Sequence, residues 1–289
     1  MKRLVAALAF ACIAARPAWA ADPIRIVAAE NFYGDIAAAV GGAHVSVSSI
    51  LNNPDEDPHL FEASPSIARD LAAARIVVLN GADYDPWVAK LLSANSEADR
   101  ATIVAADLVG KRAGDNPHLW YDPATMPAVA SALAISLDAI DPANTVEYDN
   151  NLKRLDASLQ QIADKVAVIR TRFGGVEVTA TEPVFGYMAA ALGLKMRNER
   201  FQLAVMNDTE PSARDTAAME ADLKGRKVKV FFYNNQVTDP LTERLLKIAN
   251  AANVPVVGVS ETQPAVKSFT AWMLTQLDAT EKALAGSSS

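Results

Sequence analysis

Two short stretches carry imidazoles in matching settings. NNPDEDPHLFE, 52–62, sets His59 behind Pro58 among Asp55, Glu56, Asp57 and Glu62, and DNPHLWYDP, 115–123, sets His118 behind Pro117 with an aromatic two residues on. There are only three histidines in 289 residues. A proline restricts the residue before it and stiffens the loop, which suits a side chain that must be held for binding. Two carboxylates occupy comparable places, Glu182 after VEVTAT and Glu261 after VPVVGVS. In an open parallel sheet, ligands bind beyond the carboxyl ends of the strands. Two neutral imidazoles and two carboxylates balance the charge of a divalent cation, and mixed N and O donors suit Mn(II), Fe(II) or Zn(II), the carboxylates tilting the set toward Mn and Fe. The competing readings are structural: Glu182 as a carboxylate at a helix N-terminus before Pro183, and Glu261 as the cap of a helix beginning near Pro264. Asp55, Glu56 and Asp57 read as a solvated loop, and His44 in GGAHVSV as an exposed residue beside a turn.

These side chains need strands to carry them. IRIVAA (24–29), VSVSSIL (45–51), RIVVLNG (75–81) and TIVAA (102–106) have the β-branched, apolar character of strands, and alanine-rich helical segments alternate with them. Ser64 before Pro65 reads as a helix cap. VEVTA (176–180), VKVFFYN (228–234) and VPVVGVS (254–260) repeat the plan, with helices expected at 183–193, 211–224, 240–252 and 264–285. Alternating strands and helices predict an α/β fold of two lobes, each with a parallel-type sheet flanked by helices. Between them, 142–173 has no glycine and no proline after Pro142, and Leu152, Leu155, Leu159, Ile162, Val166 and Ile169 form one stripe. The expected division is a signal peptide at 1–20, an N-terminal lobe at 21–141, a long connecting helix at 142–173 and a C-terminal lobe at 174–289.

MKR followed by the 12-residue apolar run 4–15 and then RPAWA-ADP reads as a secretory signal cleaved after Ala20, too short to span a bilayer and holding the sole cysteine, Cys12. The expected product is a soluble periplasmic protein. Without residues 1–20 the chain has 24 basic and 34 acidic residues, a net charge of −10. That balance argues against nucleic acid as a partner. No phosphate loop, G-x-S-x-G elbow or H-E-x-x-H motif is present. The aromatics Tyr84, Trp87 and Trp120 read as packing that also shields the cleft from water.

Taken in order, DPHLFEASPS (57–66), NGADYDPWVAKLL, NPHLWYDP, TEPVFGYMAAALGL (181–194) and EPSARDTAAMEADLKGRKVKVFFYNNQ (210–236) resemble the substrate-binding proteins of manganese, zinc and iron ABC importers, whose two lobes are joined by one long helix. The resemblance runs through nearly the whole chain after the signal. It implies His59, His118, Glu182 and Glu261 as metal ligands, a divalent metal as transported cargo, an inner-membrane permease as partner, and a monomer with no catalytic activity. Glu182 falls where zinc-type members place histidine and manganese- or iron-type members glutamate. NNQ at 234–236 departs from the family's usual E-P-Q, and SETQP matches its segment less closely. The rival classes are a secreted metal-dependent hydrolase, because a two-His site with an open position activates water, and a binder of an organic or chelated solute.

Overall fold

The computed structural model describes residues 22–55, 58, 61–95, 97–207, 209–237 and 239–286. The signal segment and His59 lie outside the described residues.

In the first lobe, β1 (Ile24–Glu30), β2 (Val45–Leu51), β3 (Ile76–Leu79) and β4 (Ala101–Val104) form a parallel sheet in the order β2-β1-β3-β4. In the second, β5 (Glu177–Ala180), β6 (Lys195–Met196), β7 (Phe231–Asn234) and β8 (Val256–Val259) take the equivalent order β6-β5-β7-β8, again all parallel. Parallel pairing requires crossovers. Those of the first lobe run through α1 (Asn31–Gly41), α2 (Pro65–Ala73) and α3 (Pro86–Ala94), and β4 leads through α4 (Ala105–Leu108) to α5 (Thr125–Ile140). Then comes α6 (Thr145–Phe173), and the second lobe adds α7 (Gly186–Ala191), α8 (Glu199–Met206), α9 (Ala213–Lys224), α10 (Pro240–Ala251) and α11 (Phe269–Ala285).

Each strand order reverses direction once, between β1 and β3 and between β5 and β7. A crevice opens where crossovers leave to opposite sides, so these are the places where such sheets bind ligands. Glu30 and Asn80 lie at the first reversal, and Glu182 and Asn234 at the second.

The spine between the lobes is α6. Its 29 residues reach about 43 Å at 1.5 Å per residue. Tyr148, Asn151, Leu159, Ile162, Val166 and Ile169 form its buried face, and Arg170 and Arg172 stand in its last turn, where cations favour the helix dipole. Leu152 and Leu155 of the expected stripe are half-buried against the same core. That core passes through both lobes without interruption. Its aromatic thread runs Phe32–Trp120 (4.7 Å between ring centres), Trp120–Tyr121 (6.1 Å), Tyr121–Phe185 (5.2 Å) and Phe185–Phe232 (4.5 Å).

Three local expectations change. His44 is half-buried, its Nε2 2.9 Å from Glu147 Oε2 and its ring edge-on to Tyr148, so it ties the first lobe to α6 instead of facing solvent. Ser64 occupies the cap position of α2 ahead of Pro65, but its hydroxyl pairs with that of Ser66 and not with a helix N–H. The last helix begins at Phe269 and is capped by Ser268, so Glu261 is no helix cap. The segment ahead of it is held as a loop by α1: Asn31 exchanges two hydrogen bonds with Gln263, and Asp35 accepts from the Phe269 N–H.

Candidate metal centre

His118 projects from the loop between α4 and α5, at the start of a 3-10 turn formed by Leu119, Trp120 and Tyr121, and is fully buried. Asn116 orients it. The Asn116 amide donates to the Pro183 carbonyl (2.8 Å), which leaves its Oδ1 facing the histidine, 2.6 Å from Nδ1 and 3.1 Å from the His118 backbone N. Nδ1 therefore carries the proton and Nε2 presents its lone pair, the arrangement by which a hydrogen-bonded imidazole is set for a metal. Trp120 packs edge-on at 5.3 Å between ring centres and closes that side against water.

Nε2 faces the other lobe, where Glu261 Oε2 lies 3.4 Å away. Two donor atoms each about 2.1 Å from a shared ion, and 3.4 Å from each other, subtend about 110° there, an ordinary angle for Zn(II) or a similar ion. Glu261 follows β8 and is held from three sides. Its backbone N–H and that of Thr262 donate to Gln236 Oε1 (2.6 and 2.9 Å), Tyr84 of the first lobe donates its hydroxyl to Oε2 (3.0 Å), and Asn234 donates to Oε1 (2.7 Å). Burial beside Glu261 and Glu30 raises the Tyr84 phenol well above its ordinary value, so it remains a donor.

Glu182 follows β5 at the start of the Pro183–Phe185 turn, with no side-chain bond to the turn's N–H groups. It is buried and accepts from the same Asn234 Nδ2 at 3.3 Å. One amide nitrogen thus lies between two carboxylates, itself fixed by Asn234 N donating to Thr181 Oγ1 and Asn234 Oδ1 accepting from Gln236 N. The structure brings His118 and Glu261 together and places Glu182 one amide away from Glu261. Among the described residues no three His, Cys, Asp or Glu side chains gather closely enough to make a metal cluster by themselves. His59 lies outside those residues; the exit of its loop is fixed by Phe61 packing on Trp87 at 4.8 Å.

Sequence reasoning missed the supports. Tyr84 reads as packing and is a hydrogen-bond donor to Glu261. Asn234 shows only as a departure from a motif, although its place at the end of β7, beside β5, marks it. Asn116 carries no signal beyond its position two residues before a histidine.

The model of the family described as zinc-uptake complex component A, periplasmic, matches residues 26–283. The chain belongs to that family. It is a transport family, so this member is a metal-binding component of an ABC importer and not a hydrolase, and it works outside the cytoplasmic membrane with membrane-bound transport components. Among its relatives, the manganese-binding lipoprotein MntA of Bacillus subtilis is 25% identical over 235 residues, 75% of this chain and 72% of that one. The iron ABC transporter substrate-binding lipoprotein MtsA of Streptococcus pyogenes is 24% identical over 191 residues, 60% of each. In fold the family member resembles the periplasmic zinc binding protein TroA of Treponema pallidum, with a TM-score of 0.77 at 19% identity over 91% of this chain and 99% of that one. Among the described residues no single helix is long and apolar enough to cross a membrane.

Proposed function

We propose that His59, His118, Glu182 and Glu261 hold one divalent transition metal between the lobes, as cargo for an inner-membrane permease. The observation that carries this reading is the approach of His118 Nε2 to Glu261 Oε2 across the lobe boundary, each oriented by its own hydrogen bonds. The two lobes, 21–141 and 174–289, close on the ion about the 142–173 spine. On arrival the metal takes the place of the Asn234 N–H group as the positive partner between the carboxylates, and Glu182 moves the short distance inward. Release requires the lobes to part, which breaks Tyr84 to Glu261, Asn116 to Pro183 and Tyr121 to the Ser260 carbonyl (3.0 Å).

The three relatives bear names with manganese, iron and zinc, and the donors of this chain decide among them. Carboxylate at 182 favours the harder Mn(II) and Fe(II) over Zn(II), although zinc binds most nitrogen and oxygen sites more tightly in a test tube. The protein acts in the periplasm as a monomer after cleavage at Ala20. Titrating the chain lacking residues 1–20 with Mn(II), Fe(II) and Zn(II) in calorimetry tests the reading: one saturable site per chain is expected, and no saturable binding of any of the three overturns it.

A further inference from the structure

Behind the site the first lobe encloses two more carboxyl groups. Glu30 ends β1 and is 2% exposed; Asp85 precedes α3 and is 1% exposed. The Asp85 side chain does not cap its helix. It turns back to accept from Asn80 N–H (2.6 Å) and Gly81 N–H (2.8 Å). This ring winds a turn with three successive positive φ angles, Gly81 at 74°, Ala82 at 50° and Asp83 at 65°. Left-handed backbone is costly for residues other than glycine and persists only where surrounding contacts enforce it.

What the turn delivers is the site. Tyr84 reaches Glu261 from its far end, and Asn80 at its near end donates to the Pro117 carbonyl beside His118 (2.8 Å) while accepting from Tyr33 (2.7 Å). Glu30 stands against this turn in an unusual state. No N–H or O–H donor among the described residues reaches either of its oxygens. The β1–β3 register, in which Ala28 pairs with Val78, sets Glu30 beside Asn80, whose N–H the Asp85 carboxylate holds, and so brings the two carboxyls together. Two ionised carboxylates are acceptors only and repel, so the contact requires a proton between them.

We propose that Glu30 is an un-ionised carboxylic acid at neutral pH that donates its proton to the Asp85 carboxylate, and that this pair holds the 81–84 turn against its backbone strain. Glu30 is thus a positioning residue for Tyr84 and the His118 loop. Among the described residues, the titratable groups facing the pair are the phenols of Tyr33 and Tyr84, which burial keeps neutral, and none of these is a cation that would compensate a second charge. Burial and Asp85 push Glu30 well above the usual carboxylate range, whereas Asp85, with its two N–H donors and Glu30, rises only to about 6. Asp85 accepts two backbone N–H groups, which favours its charged form, and Glu30 has no such donor, so Glu30 is the donor and Asp85 the charged acceptor. The protonation stands independently of the metal-site reading; the consequence for Tyr84 and Glu261 rests on it.

Infrared difference spectra at pH 7 between the metal-free chain lacking residues 1–20 and its Glu30→Gln variant test the proton directly. The carbonyl stretch of an un-ionised acid is expected in the wild type, shifted by carbon-13 glutamate labelling and lost in the variant; its absence from the wild type overturns the proposal. Mn(II) titration tests the support. Glu30→Gln keeps an N–H donor for Asp85 and should retain wild-type affinity, whereas Glu30→Met, of similar size with no donor, should lose about tenfold. Equal binding by Glu30→Met removes the positioning role even where the acid band is present. Should no form bind metal, the metal-site reading fails while the infrared result still decides the proton.

Discussion

The two halves of the proposed site are built on different principles. The first lobe contributes the neutral imidazole of His118, aimed through one amide that is itself anchored to the opposite lobe. The second lobe contributes charge, two carboxylates beyond the ends of β5 and β8 with the side-chain NH2 group of Asn234 between them. The contrast separates direction from attraction: one half fixes where lone pairs point, the other supplies the negative charge that draws a cation. Glu261 joins them, touched by Tyr84 and His118 from one side and Asn234 from the other.

If that division is right, Glu261→Ala should be the most damaging single change. It removes charge and the cross-lobe contact together, and a loss of Mn(II) affinity of more than about 100-fold is expected, since even residues that merely support a ligand cost 10 to 100-fold. Calorimetry that found Glu182→Ala more severe would shift the junction to Glu182. Glu182→His comes next. It exchanges charge for a softer neutral donor and should move the Zn(II) to Mn(II) preference toward zinc by about tenfold in competition titrations; an unchanged ratio would remove position 182 from the selection. A smaller loss, about tenfold, is expected for Asn234→Ala, which leaves two like charges facing each other without the amide. Asn234→Ser, with a shorter donor, should recover part of it.

The last effect leaves metal affinity aside and concerns stability. Asp85 titrates at about 6 in the folded chain against an ordinary 3.8, so between those values the folded state holds a proton that the unfolded state has lost. Stability of the metal-free chain should therefore fall as pH rises from about 4 to about 6, by no more than about 3 kcal/mol. Glu30, raised further, carries the decline to higher pH. Thermal melts from pH 4.5 to 8 should show the decline above pH 6 in the wild type and lose it in Glu30→Gln.

The strands and the spine were legible because each follows from local composition: β-branched runs and an uninterrupted apolar stripe. The rest depends on partners far along the chain. The helix expected from 264 begins at Phe269 because Asn31 and Asp35, more than 230 residues earlier, claim the backbone of its approach. Lys195–Met196 is a strand of two residues, too short for any periodicity, and α8 starts from Asn198 in a left-handed conformation with polar Glu199 and Arg200 leading. Tyr84 and Glu261 are 177 positions apart, and no pattern within either neighbourhood announces their bond. His44 shows the same in reverse: a turn residue by its neighbours, a tie to α6 through Glu147.

The central claim is that imidazole from the first lobe and carboxylate from the second share one ion. Pulsed electron paramagnetic resonance of the one-equivalent Mn(II) complex measures it most directly. The wild-type chain should show coupling to two imidazole nitrogens, and His118→Ala to one; a spectrum free of nitrogen coupling, or one that His118→Ala leaves unchanged, would contradict the account.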